Sequence, residues 1–323
     1  MSARRVVITG VGGQDGSYLA ELLHAEGCDV VGMDRASGIE HSPNLKSLRG
    51  TIELLPFELD DHSQMRAVLI DARPDEIYHL AAPTFVPDSW ADPTEAIDLI
   101  AGGTGTALAA ALAIEPRPRL WVAASSEVFG DAGESPQNER SPMRPRSPYG
   151  VAKLAALGLV RTIREHHGLF ASTGVTYNHE SPRRPPHFLP RKVTRGAASI
   201  ALGQADELVL GDLSAVRDRS DARDVVRAAR FALRADEPGD FVIASGVGRT
   251  VRELVEVAFA AAGIDGPIED HVRVDPQLVR PKEPTRLVGD AALARDALGW
   301  SPEISFEETI REMVVADLAE LAT

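Results

Sequence analysis

Tyr149 and Lys153 stand four residues apart at the start of a helical stretch. In a helix this spacing places both side chains on one face. An ammonium near a phenol favours the phenolate, so Lys153 is expected to lower the pKa of Tyr149 from its usual value of about 10. The pair predicts a base that takes a proton from a substrate hydroxyl while hydride leaves the same carbon for a nicotinamide.

Ser125 and Glu127 follow a predicted strand, in the run Ala-Ala-Ser-Ser-Glu-Val-Phe-Gly. If the chain stays extended there, its period of two places Ser125 and Glu127 on one face and Ser126 on the other. The hydroxyl can then bond the reacting oxygen, and the carboxylate can remove a carbon-bound proton that a neighbouring ketone has acidified. The alternative is a carboxylate at position 127 that only caps a turn.

Gly10, Gly13 and Gly16 separate the first predicted strand from the first helix. Glycines there permit a tight turn and a close approach to a pyrophosphate, and the helix N-terminus offers free N–H groups to that anion. Asp34 ends the second predicted strand, where a carboxylate can bond ribose hydroxyls and repel a 2′-phosphate. These residues favour NAD as the cofactor, while the adjacent Arg35 keeps NADP open.

Alternating strands and helices must position these residues. Strands are predicted at Arg5–Thr9, 29–33, 51–59, 76–80 and 120–124, and the first helix at 17–26. Such alternation is typical of an α/β fold with a Rossmann-type, doubly wound parallel sheet.

Beyond Ser181 the pattern changes to a proline-rich loop, then helices at 193–202, 222–235, 251–262 and 305–322 and strands at 207–210 and 240–244. We therefore predict an NAD-binding domain at 1–181. A smaller, mainly substrate-binding C-terminal α/β lobe follows at 182–323, some of whose elements could rejoin the sheet. The lobe is expected to close a cleft over the carboxyl ends of the strands.

Composition excludes several classes of function. The net charge of −14 over 323 residues argues against nucleic acid as a partner, although a few arginines in a cleft can still bind a small anion. The lone Cys28 cannot form an internal disulfide and has no zinc-ligand spacing around it, so no metal site is expected. We see no signal peptide and no stretch near the ~20 apolar residues of a membrane span, which predicts a cytoplasmic protein.

Three runs of residues are similar to those of one family: GGQDGSYLAE at 12–21, PRSPYGVAK at 145–153 and NHESPRR at 178–184. They resemble the GDP-mannose 4,6-dehydratases, which are NAD-dependent epimerases/dehydratases of the extended short-chain dehydrogenase/reductase type. The runs at 240–244, 280–283 and 298–304 are similar as well, so the resemblance spans nearly the whole chain.

The resemblance implies that Ser125, Tyr149 and Lys153 oxidise C4 of a nucleotide-activated sugar and that Glu127 removes the C5 proton. Water would leave from C6 and hydride return there, giving a 4-keto-6-deoxy sugar. Predicted cofactor-binding residues are Gly10, Gly13, Gln14, Asp15, Gly16, Asp34, Arg35, Tyr149 and Lys153. Predicted substrate-binding residues are Thr84, Ser126, Asn178, Lys192, Arg217, Arg280 and Glu283, the arginines suiting a diphosphate by their planar fork.

The chain departs from the family in three places. The family's paired arginines after the second strand are replaced here by Asp34-Arg35-Ala36. This difference argues against NADP as the cofactor and against the family's tetramer. The family's Ser-His-Val is replaced by Thr-Phe-Val at 84–86, and its Arg-Asp-Trp-Gly-His by Arg-Asp-Arg-Ser-Asp at 217–221. The sugar and the nucleotide base of the substrate therefore stay open.

The predicted function is a nucleotide-sugar 4,6-dehydratase acting on GDP-mannose or a related NDP-hexose or NDP-heptose. A 4-epimerase or a decarboxylase would begin with the same C4 oxidation. An epimerase has no need of Glu127, whereas a decarboxylase can also carry a Ser-Glu-Val run. A non-catalytic dinucleotide sensor would need none of the four catalytic side chains.

Small residues crowd the helix at about 104–114 and the helix that bears Tyr149. They are Ala107, Ala109, Ala110, Ala111, Ala152, Ala155, Ala156 and Gly158. In related enzymes such faces pair across a two-fold axis, which predicts a homodimer. The alternative is that these residues pack only against their own sheet.

Overall fold

Strands and helices alternate along most of the chain, which the structure, a computed structural model, describes at residues 3–278 and 286–322. The first half contains β1 (Arg5–Thr9), α1 (Gln14–Ala25), β2 (Asp29–Asp34), α2 (Ala36–His41), β3 (Glu53–Pro56), α3 (His62–Ala72), β4 (Glu76–His79), α4 (Asp88–Ala91), α5 (Pro93–Ile97), α6 (Gly103–Ala113), β5 (Arg119–Ala123), α7 (Pro148–His167) and β6 (Ala171–Thr176). The second half contains β7 (Asn178–Glu180), α8 (Leu189–Ala201), β8 (Leu208–Leu210), β9 (Val216–Asp221), α9 (Ala222–Arg234), β10 (Asp240–Ile243), β11 (Gly248–Thr250), α10 (Val251–Ala262), β12 (Val272–Val274), β13 (Arg286–Leu287), α11 (Ala292–Leu298) and α12 (Phe306–Leu321).

Seven parallel strands form the main sheet, in the order β10-β6-β5-β4-β1-β2-β3. The order runs one way from β1 to β3 and the other way from β4 to β10. A crevice therefore opens between β1 and β4, where such sheets bind their ligands. The predicted Rossmann-type doubly wound sheet is confirmed.

An apolar core covers each face of the sheet. In β1, Val6 and Ile8 point into one core with α1 and α9, and Val7 points into the other with α3 and α6; all three are fully buried. Because both faces are covered, β1 reads as a continuous apolar run rather than an alternating one.

Residues Pro93–Ala113 form one helical stretch, in which a π-helical turn at Asp98–Gly102 joins α5 to α6. By length and composition it could cross a membrane, which corrects the sequence-based statement that no such stretch exists. Half of its apolar window is buried within the protein, because α6 packs between α3 and α7 with Ala107, Leu108 and Ala111 in the core. Its composition is that of a core helix.

One strand predicted within residues 182–323 lies in the main sheet, a placement that the sequence analysis left open. β10 pairs with β6, a strand that the sequence analysis missed, and both lie in the main sheet. The lobe itself holds β7, β9, β11 and β13 in one small sheet, β8 with β12 in another, and a third apolar core between α8, α10 and α12. α8 begins at Leu189, four residues earlier than predicted, since Pro190 fits a first helical turn.

Gly174 in β6 lies against the ring of Trp121 in β5. A Cβ at position 174 would stand 2.3 Å from Cζ2 of Trp121. We predict that Gly174→Ala lowers the free energy of unfolding by about 1–3 kcal/mol through overpacking. Trp121→Phe removes the ring atoms in conflict, so in urea unfolding the double variant should lose less stability than the two single variants together. Strict additivity would contradict this packing.

Candidate active site

One cleft at the carboxyl ends of the main strands collects the predicted site residues. It has a volume of about 1480 Å³. Its walls come from the loop after β1, the loop after β4, the end of β5, the start of α7 and the segments at 176–192 and 210–219. Every predicted cofactor, catalytic and substrate residue in the described part of the chain lines it. Arg280 and Glu283 lie outside the described residues.

The loop between β1 and α1 is shaped by glycine. Gly10 has a φ of +76°, and its carbonyl accepts a hydrogen bond from Gly13 N–H at 3.1 Å. A Cβ on Gly16 would lie 2.2 Å from that carbonyl oxygen, so the helix can sit this close to the loop only with glycine there. Among the described residues no side chain caps the first turn of α1, which leaves its N–H groups for an anion. The loop fits the diphosphate of a dinucleotide.

Asp34 faces the same loop from the end of β2. Its carboxylate accepts hydrogen bonds from Gly12 N–H at 2.7 Å and from Arg35 N–H at 2.8 Å. A Cβ on Gly12 or on Gly38 would lie within 2.8 Å of a carboxylate oxygen. Glycines thus allow the carboxylate to stand close to the loop, and an ionised carboxylate has further acceptor capacity for ribose hydroxyls.

The Tyr149 phenol is buried at the start of α7. Burial raises the pKa of Tyr149 to about 12, partly opposed by a hydrogen bond with Ser125. Lys153 Nζ donates to the carbonyl of Ala123 at 2.7 Å and lies 5.8 Å from the centre of the phenol ring. Burial also lowers the pKa of Lys153, to about 8. The shift at Tyr149 is opposite to the sequence-based expectation, because burial has the largest effect on its pKa.

The chain turns after β5 instead of staying extended. Ser126–Val128 form a 3-10 turn, and the Ser125 hydroxyl accepts a hydrogen bond from Glu127 N–H at 3.3 Å. The period-two argument is therefore wrong, yet Ser125 and Glu127 still line the cleft. Ser126, expected on the opposite face, also reaches the cleft although it is buried. The negative charge of Glu127 contributes to the raised pKa of Tyr149.

Predicted substrate residues occupy the other half of the cleft. Asn178 lies in β7, and Thr84 is exposed in the loop after β4. Lys192 Nζ donates to the carbonyl of Val209 at 2.8 Å, and Arg217 Nη1 to that of Val216 at 2.9 Å. The two cations stand where a diphosphate could lie between α8 and β9.

His179, Arg184 and Arg219 also line the cleft, and the sequence analysis did not predict them as site residues. Arg219 is 4% exposed, and burial lowers its pKa to about 10. Reading 216–221 as a strand would have placed Arg219 on the same face as Arg217. Arg184 pairs with the buried Glu180 at 3.4 Å, a contact that the sequence did not indicate.

Aromatic side chains join the two walls of the cleft. The Phe85 ring meets His187 and Phe188 edge-on, with ring centroids 4.8 and 5.4 Å apart. The Arg184 guanidinium stacks on Phe188 at 3.8 Å.

The sequence matches the family model described as GDP-mannose 4,6 dehydratase over residues 7–313. The chain belongs to the GDP-mannose 4,6-dehydratase family. A protein named GDP-mannose 4,6-dehydratase from Yersinia enterocolitica is 39% identical over 351 aligned positions, covering 98% of this chain and 94% of the relative. The predicted resemblance is confirmed.

Solved structures of sugar-nucleotide enzymes share the fold of this GDP-mannose 4,6-dehydratase family member. UDP-glucose 4-epimerase from Thermus thermophilus, in complex with NAD, has a TM-score of 0.83 at 27% identity, covering 97% of this chain and 98% of that one. An NAD-dependent NDP-hexosamine 5,6-dehydratase of tunicamycin biosynthesis has a TM-score of 0.81 at 25% identity, covering 97% of each chain.

The position of Asp34 predicts that the protein binds NAD more tightly than NADP in calorimetric titration. Asp34→Asn keeps an acceptor for Gly12 N–H but removes the charge that would repel a 2′-phosphate. The preference for NAD should then fall by about tenfold. Equal or tighter binding of NADP by the unaltered protein would mean that Arg35, and not Asp34, determines the cofactor preference.

Proposed function

We propose that the protein is an NAD-dependent nucleotide-sugar 4,6-dehydratase, with GDP-mannose or a related NDP-hexose or NDP-heptose as substrate. The observation that carries the proposal is the presence of Glu127 in one cleft with Ser125, Tyr149 and Lys153. Relatives named GDP-mannose 4,6-dehydratase, which align over nearly the whole chain, support this substrate class.

The first step belongs to the hydroxyl side chains. Ser125 and Tyr149 hydrogen-bond to each other and can both reach a C4 hydroxyl placed in the cleft. Tyr149 takes the hydroxyl proton as the phenolate, which requires the positive charge of Lys153 to offset the burial that raises the Tyr149 pKa. Bound NAD supplies the hydride acceptor at C4 and the hydride donor at C6.

The second step belongs to Glu127. A C5–H bond becomes acidic only once C4 is a ketone, so the carboxylate acts after C4 oxidation. Proton removal from C5 and departure of the C6 hydroxyl create a double bond. Return of hydride to C6 and of a proton to C5 yields the 4-keto-6-deoxy sugar. The net change is the loss of one water, with no net oxidation.

The two parts of the chain divide the ligands between them in this proposal. Residues 1–181 hold mainly the cofactor and the reacting carbons, and residues 182–323 hold mainly the nucleotide diphosphate, with Lys192 and Arg217 as its cations. A planar guanidinium can bind two phosphate oxygens at once. A cytoplasmic location remains our prediction.

Substitutions at Tyr149 and at Glu127 should separate the oxidation step from the elimination step. Tyr149→Phe should abolish C4 oxidation, with no absorbance of reduced cofactor on addition of GDP-mannose. Glu127→Gln should keep nucleotide-sugar binding and C4 oxidation, but lose deuterium incorporation at C5 and slow product formation about 10²–10⁴-fold.

Glu134→Gln is the matched control, because this carboxylate is exposed on the following loop. It should behave as the unaltered enzyme in the exchange and product assays. Wild-type turnover by Glu127→Gln would remove Glu127 as the base and make a 4-epimerase the better assignment.

We also propose that two chains pair through the outer face of α7. The predicted small residues Ala152 and Ala156 are buried within the subunit. A stripe of Val151, Ala155 and Leu159 at four-residue spacing is instead exposed, with Val151 46% and Leu159 40% accessible. A second copy related by a two-fold axis would cover this stripe with its own.

The pairing predicts a dimer mass in light scattering at micromolar concentration. Leu159→Arg places a charge in the stripe and should give a folded monomer. Leu293→Arg, at a 43% exposed leucine on α11, is the matched control and should stay dimeric. A monomer mass for the unaltered protein would contradict the pairing.

A further inference from the structure

An ion pair links the first turn of α1 to β7 inside the cleft. His179 Nε2 lies 2.8 Å from Oδ2 of Asp15, and His179 Nδ1 lies 2.7 Å from the carbonyl oxygen of Tyr177. The side chains of His179 and Asp15 are only 13% and 25% exposed. A carbonyl and an ionised carboxylate both accept and neither donates. Each ring nitrogen can therefore make its bond only with a hydrogen, which makes His179 an imidazolium.

Neighbouring charges act on this pair from several elements. Arg184 from the loop after β7 opposes the charge on His179, and Lys153 from α7 interacts with Asp15. The Tyr149 phenol of α7 also faces the pair, since the charge of Asp15 contributes to its raised pKa, and Gln14 donates to Asp15 at 3.1 Å. Although burial disfavours charge, Asp15 raises the pKa of His179 and His179 lowers that of Asp15.

Asp15 stands in the first turn of α1, whose N–H groups form the anion site. A bare carboxylate there would repel a diphosphate, since two negative charges at close range in a partly buried site cost free energy. The positive charge of the imidazolium offsets that repulsion while Asp15 stays in the first turn of α1. Neither residue is needed for the proton transfers at the sugar.

We propose that His179 is a positioning residue for the cofactor diphosphate, and that NAD binding takes up a proton there whenever His179 is neutral in the free protein. The inference rests on the proposed NAD site. Because the diphosphate favours the imidazolium, binding raises the pKa of His179 further. The NAD dissociation constant should thus rise with pH between the free and bound pKa values, and this window lies above the usual histidine value.

The test is calorimetric titration of the full chain with NAD from about pH 6 to 9, in buffers of differing ionisation enthalpy. We expect the unaltered protein to take up part of a proton per NAD bound. His179→Gln retains a donor for Asp15 but no charge. It should lose this uptake and bind NAD about tenfold more weakly at the acid end of the range.

Asp15→Asn removes the repulsion instead. Without Asp15, the pKa of His179 is no longer raised, so the fall of NAD affinity with pH should move to lower pH. Asp15→Asn/His179→Gln should recover most of the affinity lost in His179→Gln. Burial lowers the pKa of Lys153 to about 8, so any proton uptake at Lys153 should remain in His179→Gln. In Asp15→Asn it should move to lower pH, because Asp15 raises the pKa of Lys153. His62→Gln is the matched control, because His62 also pairs with an aspartate, Asp98 at 3.2 Å, but outside the cleft.

The outcomes separate the two proposals. Failure of the unaltered protein to bind NAD at any pH would overturn the cofactor assignment and this inference with it. NAD binding with equal proton uptake in the unaltered protein and in His179→Gln would overturn only the role of His179. If His179→Gln does not fold, a pH dependence in Asp15→Asn equal to that of the unaltered protein would overturn it instead.

Discussion

The contact between α1 and residues 179–183 fixes where the two halves of the cleft stand. Gln14 Nε2 donates to the carbonyl of His179 at 3.2 Å, and Gln14 Oε1 accepts from Ser181 Oγ at 2.8 Å. Arg183 reaches back to both carboxylate oxygens of Glu21 at 2.8 Å. The segment that opens the C-terminal lobe is thereby hydrogen-bonded to the helix that receives the cofactor. Two of the runs that identify the family in the sequence are the two sides of this contact.

The sequence was most informative where one physical rule acts alone. Apolar runs bounded by glycine located β1 and β2, and residue spacing brought Tyr149 and Lys153 together. β6 was missed because Ser172, Thr173 and Gly174 interrupt its apolar pattern, although the strand is almost wholly buried. Its glycine is required by a tryptophan on the neighbouring strand, a reason that no local pattern contains.

Strand β9 was missed for an electrostatic reason. Its sequence, VRDRSD, reads as a solvated loop, yet Asp218 and Asp221 are buried. Asp218 accepts from the Ser245 hydroxyl at 2.6 Å and from two backbone N–H groups at 2.8 Å, and Asp221 accepts from Thr309 and Arg223. Burial of a carboxylate is tolerable when distant parts of the chain donate to it. The partners of Asp218 are at least 27 residues away along the chain, which places them beyond sequence reasoning.

The 3-10 turn after β5 has an evolutionary consequence. The group that holds the Ser125 hydroxyl is the backbone N–H of residue 127, which every residue type except proline provides. The side chain at 127 can therefore change without loss of that hydrogen bond. In the proposed mechanism, one substitution at this position adds or deletes the elimination step while the serine and the tyrosine assigned to the oxidation stay in place. A common ancestor could in this way give rise to enzymes that dehydrate sugars and enzymes that only invert them.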